Sequence, residues 1–442
     1  MTTEAEQSDA LSLEDLRDAW AVLAAEDRVR GFGMLSFEDQ EEFFIGLPSL
    51  AQSKLLFSLP ANKRRSWMRL LAPDDAADLI QESPSEERTN LLGLLDEPTR
   101  KEVSALLAYA EDAAGGLMST RFARVRPDMT VDEAIGYLRK QARGQLETLY
   151  YVYVLDEQQH LLGVVSFREL FASQPNTRVR DVMHPEVLKV RADQDQESVS
   201  RVFQENDLVA IPVVDADNRI QGIVTVDDIV DVVQEEATED IQKIGGMEAL
   251  DAPYLTVAMS AMVKKRAGWL AALFLGEMLT ASAMSHYEDE IARAVILALF
   301  VPLIISSGGN SGSQATTLVI RALALGEVRL RDWWRVVRRE LLAGLILGCV
   351  LGAIGFCRIV IWQAISPAYG DHYLLVALTV GGSLIGVVMF GTVVGSLLPF
   401  ILKRLGFDPA SASAPFVATL VDVTGLVIYF SLASAILSGT YL

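Results

Sequence analysis

A chain of 442 residues and 48.4 kDa is too long for one hydrophobic core, and 51% hydrophobic residues with a mean hydropathy of +0.28 exclude a wholly soluble protein. The formal charge of −20 is unevenly divided: residues 1–263 carry 25 Lys and Arg against 48 Asp and Glu, whereas residues 264–442 carry 13 against 10. So acidic a half repels nucleic acid and attracts cations, which excludes DNA and RNA partners on charge and favours cation chemistry.

The first residues, MTTEAEQSDALSLEDL, lack the basic and apolar regions of a cleaved signal peptide, so residues 1–37 read as a partly disordered extension and insertion must be signalled by later helices. Residues 38–117 are punctuated by Pro48, Pro60, Pro73, Pro84 and Pro98 and predict an all-α array of short helices, its leucines and alanines at helical spacing forming the core. From about 118 a unit occurs twice. VRPDMTVDEAIGYLRKQ with TLYYVYVLDEQQHLLGVVSFREL is followed by VRADQDQESVSRVFQEN with LVAIPVVDADNRIQGIVTVDDIV. Each copy predicts a helix after an Asp-rich cap, a β-branched strand, an Asp turn, a second strand ending in Val-Ser or Val-Thr, and a closing helix. The α/β repeat resembles a tandem CBS pair (118–180 and 181–234), a module that binds adenine nucleotides or serves as a dimerisation platform with an empty cleft. A very acidic run over 227–254 then predicts a helix that ends at Gly245 and Gly246, and the segment 235–263 connects it to the first span.

Residues 264–442 hold five apolar stretches long enough to cross roughly 30 Å of hydrocarbon: 267–285, 291–320, 340–364, 373–402 and 414–437. Lys264, Lys265, Arg266, Arg321, Arg329, Arg331, Arg335, Arg338, Arg339, Lys403 and Arg404 gather in the loops on one side, which places residues 1–263 in the cytoplasm and, with an odd number of spans, the C-terminus outside. Cys349 and Cys357 lie eight apart in one apolar segment, so there is no disulfide framework and no four-ligand zinc site; they read as two buried thiols. The second span holds Pro302 and the run SSGGNSGSQ (306–314), which predicts an interrupted helix facing protein or water. The fifth is entered through DPASASAP and carries Asp422, with Thr419 and Thr424 beside it. A carboxylate there costs about 2.5–3.5 kcal/mol on insertion scales and marks an ion pathway. Glu277 in the first span divides evenly between a packing contact and the same pathway.

EDAAGGLM (111–118), the CBS pair, EEATEDIQKIGG (235–246), PLIISSGGNSGSQATTLVIRALALGE (302–327) and ASAPFVATLVDVTGLVIYF (411–429) together resemble the MgtE family of magnesium channels, from about residue 38 to the C-terminus. The resemblance implies a homodimer in membrane lipid, with a helical N domain, a CBS pair, a connecting plug helix and five membrane helices of which the second and fifth line the pore. It implies Mg²⁺ as both substrate and regulator, with Asp422, Asn310 and Thr419 along the pore and Asp74, Asp78, Glu197, Asp207, Asp228, Asp231, Glu236 and Glu239 as Mg²⁺-sensing positions. By the same resemblance Tyr151, Arg168 and Glu169 would contact ATP in the CBS pair, with Glu169 replacing an Asp and Leu208 replacing an aromatic. Ala414 stands where some members have Asn. Oxygen ligands suit Mg²⁺, which keeps an octahedral shell and sheds water reluctantly.

The expected fold is therefore multidomain: an all-α N domain, an α/β tandem CBS domain and an all-α five-helix membrane domain. The expected function is passive Mg²⁺ uptake, closed when cytoplasmic Mg²⁺ bridges the acidic elements. A permease for another divalent ion such as Co²⁺ is the alternative, which the absence of His and Met from the motifs disfavours. A membrane-anchored nucleotide sensor would not require Asp422. No catalyst is expected, because the four histidines form no HExxH motif and there is no P-loop.

Overall fold

The computed structural model describes residues 12–143, 146–255, 257–366 and 369–438. It divides into two compact units, Met1–Glu235 and Glu236–Leu442. The acidic residues 1–11 lie outside the described residues.

The first unit opens with eight short helices: Leu13–Ala19, Ala25–Met34, Phe37–Ile45, Ser49–Ser58, Ala61–Met68, Pro73–Gln81, Ser85–Leu94 and Glu97–Leu106. The prolines sit where helices start. Pro48, Pro60 and Pro84 are N-cap residues, and Pro73 and Pro98 occupy the first helical positions, where a missing N–H breaks no ladder. The array reaches further toward the N-terminus than residue 38, because Leu16, Phe32 and Leu35 are buried in the same core as Leu56, Met68 and Ile80. Trp67 lies at the centre, its ring 5.1 Å from Phe44 and 5.3 Å from Phe32.

The two α/β copies fold alike. In the first, β1 (Arg124–Val125) pairs parallel with β2 (Tyr151–Leu155), which pairs antiparallel with β3 (Leu161–Ser166). In the second, β4 (Val190–Arg191), β5 (Ala210–Val214) and β6 (Ile220–Thr225) repeat the order, including a register shift at Val213/Val214 that matches the one at Val154/Leu155. The hairpin tips join the copies through Leu161 N–H to the Asn218 carbonyl (3.0 Å) and Ile220 N–H to the Gln159 carbonyl (3.1 Å). Each second strand ends on a hydroxyl at the start of the following helix: Ser166 forms a capping box with Glu169, and Thr225 donates its hydroxyl to Asp228. The helix begun by Thr225 is Val226–Ile244, the connecting helix.

In the second unit five helices have the length and composition of membrane spans: Met259–His286, Val295–Ala324, Leu330–Ile365, Tyr373–Arg404 and Ala414–Leu437. The second is not broken at its glycine run. It is continuous over Val301–Ala324 with Pro302 in its first turn, and the irregularity comes earlier, in the short helices Glu288–Arg293 and Val295–Ala298. The glycines serve close packing: a Cβ added at Gly391 of the fourth span would lie 2.4 Å from the Gly308 carbonyl, and one at Gly395 would lie 2.2 Å from that of Gly312. The hydroxyl of Thr316 adds a hydrogen bond to the Gly395 carbonyl at 2.8 Å. The third span meets the fourth in the same way through Gly344, Gly348 and Gly352. Because those glycines take the packed face, Cys349 and Cys357 fall on the other side of the third span. Both thiols are exposed, contrary to the expectation of burial.

Candidate ion path and acidic cluster

The fifth span begins at a strap that fixes its first turn. Asp408 accepts from Ala410 N–H at 2.8 Å, and Ser413 caps the helix by accepting from Phe416 N–H at 3.3 Å. The second span runs against it: Ser313 Oγ donates to the Ala414 carbonyl at 3.2 Å, and a Cβ at Gly309 would meet the Ala418 side chain at 3.4 Å. Ala414 thus enters the contact through its backbone, which does not depend on an amide side chain at that position.

Thr419 donates its hydroxyl to the Pro415 carbonyl at 3.0 Å and rests its methyl against Gly276 of the first span. Asp422, one turn on, is half-buried, with the Glu277 carboxyl within hydrogen-bonding reach. The close approach at Gly276 brings the two acids together. Asn310 is exposed and donates to Ser306 Oγ at 3.5 Å. Sequence reasoning left Glu277 undecided, since a single acid in an apolar run says nothing of which helix it will face.

Of the eight proposed sensing positions, Asp74, Asp78 and Asp228 share one electrostatic neighbourhood in the first unit. Asp74 and Asp78 lie one turn apart on Pro73–Gln81, whose other face buries Ala76, Ala77, Leu79 and Ile80. Burial and the neighbouring Asp75 push Asp74 up to about 6, and one of its oxygens is buried without a hydrogen-bond partner. Burial, followed by the charges of Asp74, Asp75, Asp228 and Glu111, pushes Asp78 up to about 8. Asp228 is raised to about 7, again by burial first, against the opposing hydrogen bond from Thr225 and with Asp227 and Asp74 adding repulsion. This is a field of crowded carboxyls rather than a finished cage. Among the described residues, no three His, Cys, Asp or Glu side chains converge so as to hold a metal ion directly. The set suits an ion that keeps its own water shell.

The other positions have their own surroundings. Glu197 pairs with Arg201 at 2.9 Å, and Asp207, in the left-handed conformation at φ 51°, lines an apolar recess with Phe203, Leu208 and Val230. Asp231 is exposed beside Glu235. Glu236 and Glu239 fall beyond the division at residue 235, and Glu239 is paired with Lys243. Missed by sequence reasoning were Asp75, Glu111, Asp227 and Glu147. Glu111 and Asp227 stand within quoted motifs without a periodicity that singles them out, Asp75 adjoins Asp74 with nothing in the sequence to set it apart, and Glu147 lies in a loop.

At the first CBS-like copy, Tyr151 pairs with Ser166 across β2 and β3, which brings it to the strand end that bears Arg168 and Glu169. Arg168 is exposed. Glu169 is committed: His184 Nε2 lies 2.8 Å from one oxygen, while the Ser166 hydroxyl and N–H donate to the other at 2.7 and 2.9 Å. These bonds, that of His184 foremost, hold its carboxyl down at about 2.

Family models match in the same order as these elements: an MgtE intracellular N domain over residues 11–112, CBS domains over 114–175 and 179–235, and an MgtE divalent cation transporter domain over 301–432. The magnesium transporter MgtE of Thermus thermophilus is 42% identical over 429 residues, 96% of this chain and 93% of that protein. The chain belongs to the MgtE family. The MgtE of Bacillus subtilis is 32% identical over 427 residues, 97% of this chain and 92% of its own length. Among solved structures, the cytosolic domain of an Mg²⁺ channel MgtE in complex with ATP is 41% identical, covers 50% of this chain and 90% of that one, and has a TM-score of 0.47. Membership of MgtE makes this a multi-pass membrane protein of a transporter family, with a helical N domain, a CBS pair and five membrane helices.

Proposed function

We propose that this MgtE member is a homodimeric, passive Mg²⁺ channel whose ion path runs along the second and fifth membrane helices. The observation that carries the reading is Asp422, a half-buried carboxylate in an otherwise apolar helix, set where the glycine-bearing second span packs closely on the fifth. A carboxylate and hydroxyl oxygens, without nitrogen or sulfur donors, favour a hard hydrated cation over Co²⁺. Basic residues gathered in alternate loops support a cytoplasmic first unit and an outside C-terminus.

Cytoplasmic Mg²⁺ closes the channel in this reading. Without divalent ions Asp74, Asp78 and Asp228 repel one another, and hydrated Mg²⁺ relieves the repulsion and favours a compact arrangement in which Asp231 and Glu236 take part. Glu197, paired with Arg201, and Asp207, at the mouth of its own recess, stand as further candidate sensing positions. ATP, bound by a relative's cytosolic domain, would meet Tyr151 and Arg168 here, but Glu169 must first part from His184.

Flux in proteoliposomes with Mg²⁺, Ca²⁺, Co²⁺ and Na⁺ side by side tests the proposal. The expected result is Mg²⁺ flux that exceeds the others and falls as Mg²⁺ rises on the cytoplasmic side. Equal passage of Co²⁺ and Mg²⁺ would overturn the selectivity, and flux indifferent to Mg²⁺ would overturn the regulation.

A further inference from the structure

The connecting helix carries seven acids, Asp227, Asp228, Asp231, Glu235, Glu236, Glu239 and Asp240, and one basic residue, Lys243 in its last turn. A cation there complements the helix C-terminus, yet it does more than cap. Lys243 Nζ lies 2.6 Å from Asp408 Oδ2, 165 residues away, and also pairs with Glu239 one turn back. The Lys243 and Asp408 side chains are only 26% and 36% exposed. The other oxygen of Asp408 receives Ala410 N–H, so this one carboxylate ends the connecting helix and starts the strap of the fifth span.

Three further contacts fasten the same junction. Ile244 packs with Ala410, Ala412, Leu398, Leu402 and Ile320. Gly246, at φ +76°, lets the chain turn so closely that an added Cβ would stand 3.0 Å from the Trp269 ring and 3.1 Å from Pro415. Trp269 Nε1 donates to Ser413 Oγ at 3.2 Å, the hydroxyl that caps the fifth span.

We infer that Lys243 is a positioning residue for gating: a built-in cation that couples the connecting helix to the pore helix through Asp408. The inference rests on the Mg²⁺-closed channel proposed above. Glu239, paired with Lys243 one turn back, takes part in this latch as well as in the acidic face. Mg²⁺ sensing sets where the connecting helix stands, and the Lys243–Asp408 pair carries that setting to the strap of the helix that bears Asp422. Ile244 alone cannot enforce direction, because apolar packing is non-directional whereas a half-buried, hydrogen-bonded ion pair fixes one geometry.

The test is Mg²⁺ flux through the full-length protein in proteoliposomes, at low and at high Mg²⁺ on the cytoplasmic side. K243M keeps the aliphatic stem, K243R keeps the charge, and D408N keeps the helix cap, since Asn caps as well as Asp. In K243M and in D408N the ratio of low-Mg²⁺ to high-Mg²⁺ flux is expected to fall by about tenfold, in the range of ordinary coupling between sites. Flux at low Mg²⁺ should persist, K243R should retain the wild-type ratio, and the K243M/D408N double variant should lose no more than either single one. A wild-type ratio in K243M overturns the latch while leaving the channel reading intact. Loss of flux at low Mg²⁺ in both single variants overturns it in favour of a purely structural role. Wild-type flux that ignores Mg²⁺ overturns the gating reading itself.

Discussion

At the scale of single residues, the carboxylates of the membrane spans and the buried carboxyls of the first unit face opposite problems. Asp422 is a half-buried carboxylate in an apolar span, for which a cation is the natural partner; Asp422→Ala should abolish Mg²⁺ flux while the protein still purifies folded, and normal flux through that variant would remove Asp422 from the path. Asn310→Ala should weaken flux less, because an amide offers hydrogen bonds to a hydrated ion but no charge, and the same assay compares the two. In the first unit, Asp74, Asp78 and Asp228 are raised to about 6, 8 and 7 from an ordinary 3.8. A carboxyl raised in the folded state binds more protons there than in the unfolded chain, so its contribution is full below the ordinary value and lost as pH rises through 6 to 8. Thermal unfolding of the full-length protein in detergent with a chelator should therefore show a lower Tm at about pH 8.5 than at about pH 5.5, and Mg²⁺, which favours the ionised form, should narrow the difference.

At the scale of elements, glycines decide the membrane architecture. The contact of Gly391 with the Gly308 carbonyl leaves no room for a methyl group. Gly391→Ala should cost about 1–3 kcal/mol through overpacking between the second and fourth spans, read as a lowered Tm in detergent. Gly136, on the CBS-like helix Val131–Gln141, has open space beside it, and Gly136→Ala should instead be neutral or stabilising by about 0.5–1 kcal/mol. The hydroxyl–carboxylate pairs at helix starts show the same economy in the first unit: Asp228 accepts from Thr225 Oγ1 at 2.8 Å, so one carboxylate sits at the start of the connecting helix and belongs to the crowded acids.

At the scale of the whole molecule, the chain puts its acid and its apolar sequence into separate units and joins them with one strongly acidic helix. Replacing Asp228, Asp231, Glu236 and Glu239 together with their amides should remove both the repulsion and the Mg²⁺ bridging. Protease sensitivity of residues 235–260 across a Mg²⁺ titration reads this out: the wild type should gain protection as Mg²⁺ rises, while the quadruple variant should cleave equally throughout. Flat cleavage of the wild type would reduce the acidic face to a solvated surface.

Charge segregation, the α/β repeat, the five apolar runs and the costly Asp422 were all legible in the sequence, because each rests on composition or on a periodicity that water and lipid impose locally. The prolines were legible too, since a residue without an N–H is tolerated at a helix start wherever the helix packs. Other features required the tertiary structure. The run SSGGNSGSQ looks like a break when read locally, yet it is helical and packed, with Val387, Val421, Val417 and the Gly391 backbone in the space that the missing side chains of Gly308 and Gly312 leave. Glu277 became a neighbour of Asp422, Glu169 became a partner of His184, and Lys243 crossed 165 residues to Asp408. Local sequence fixes which elements form and which faces are apolar; which charge meets which depends on how distant elements pack, and that is settled only when the chain closes on itself.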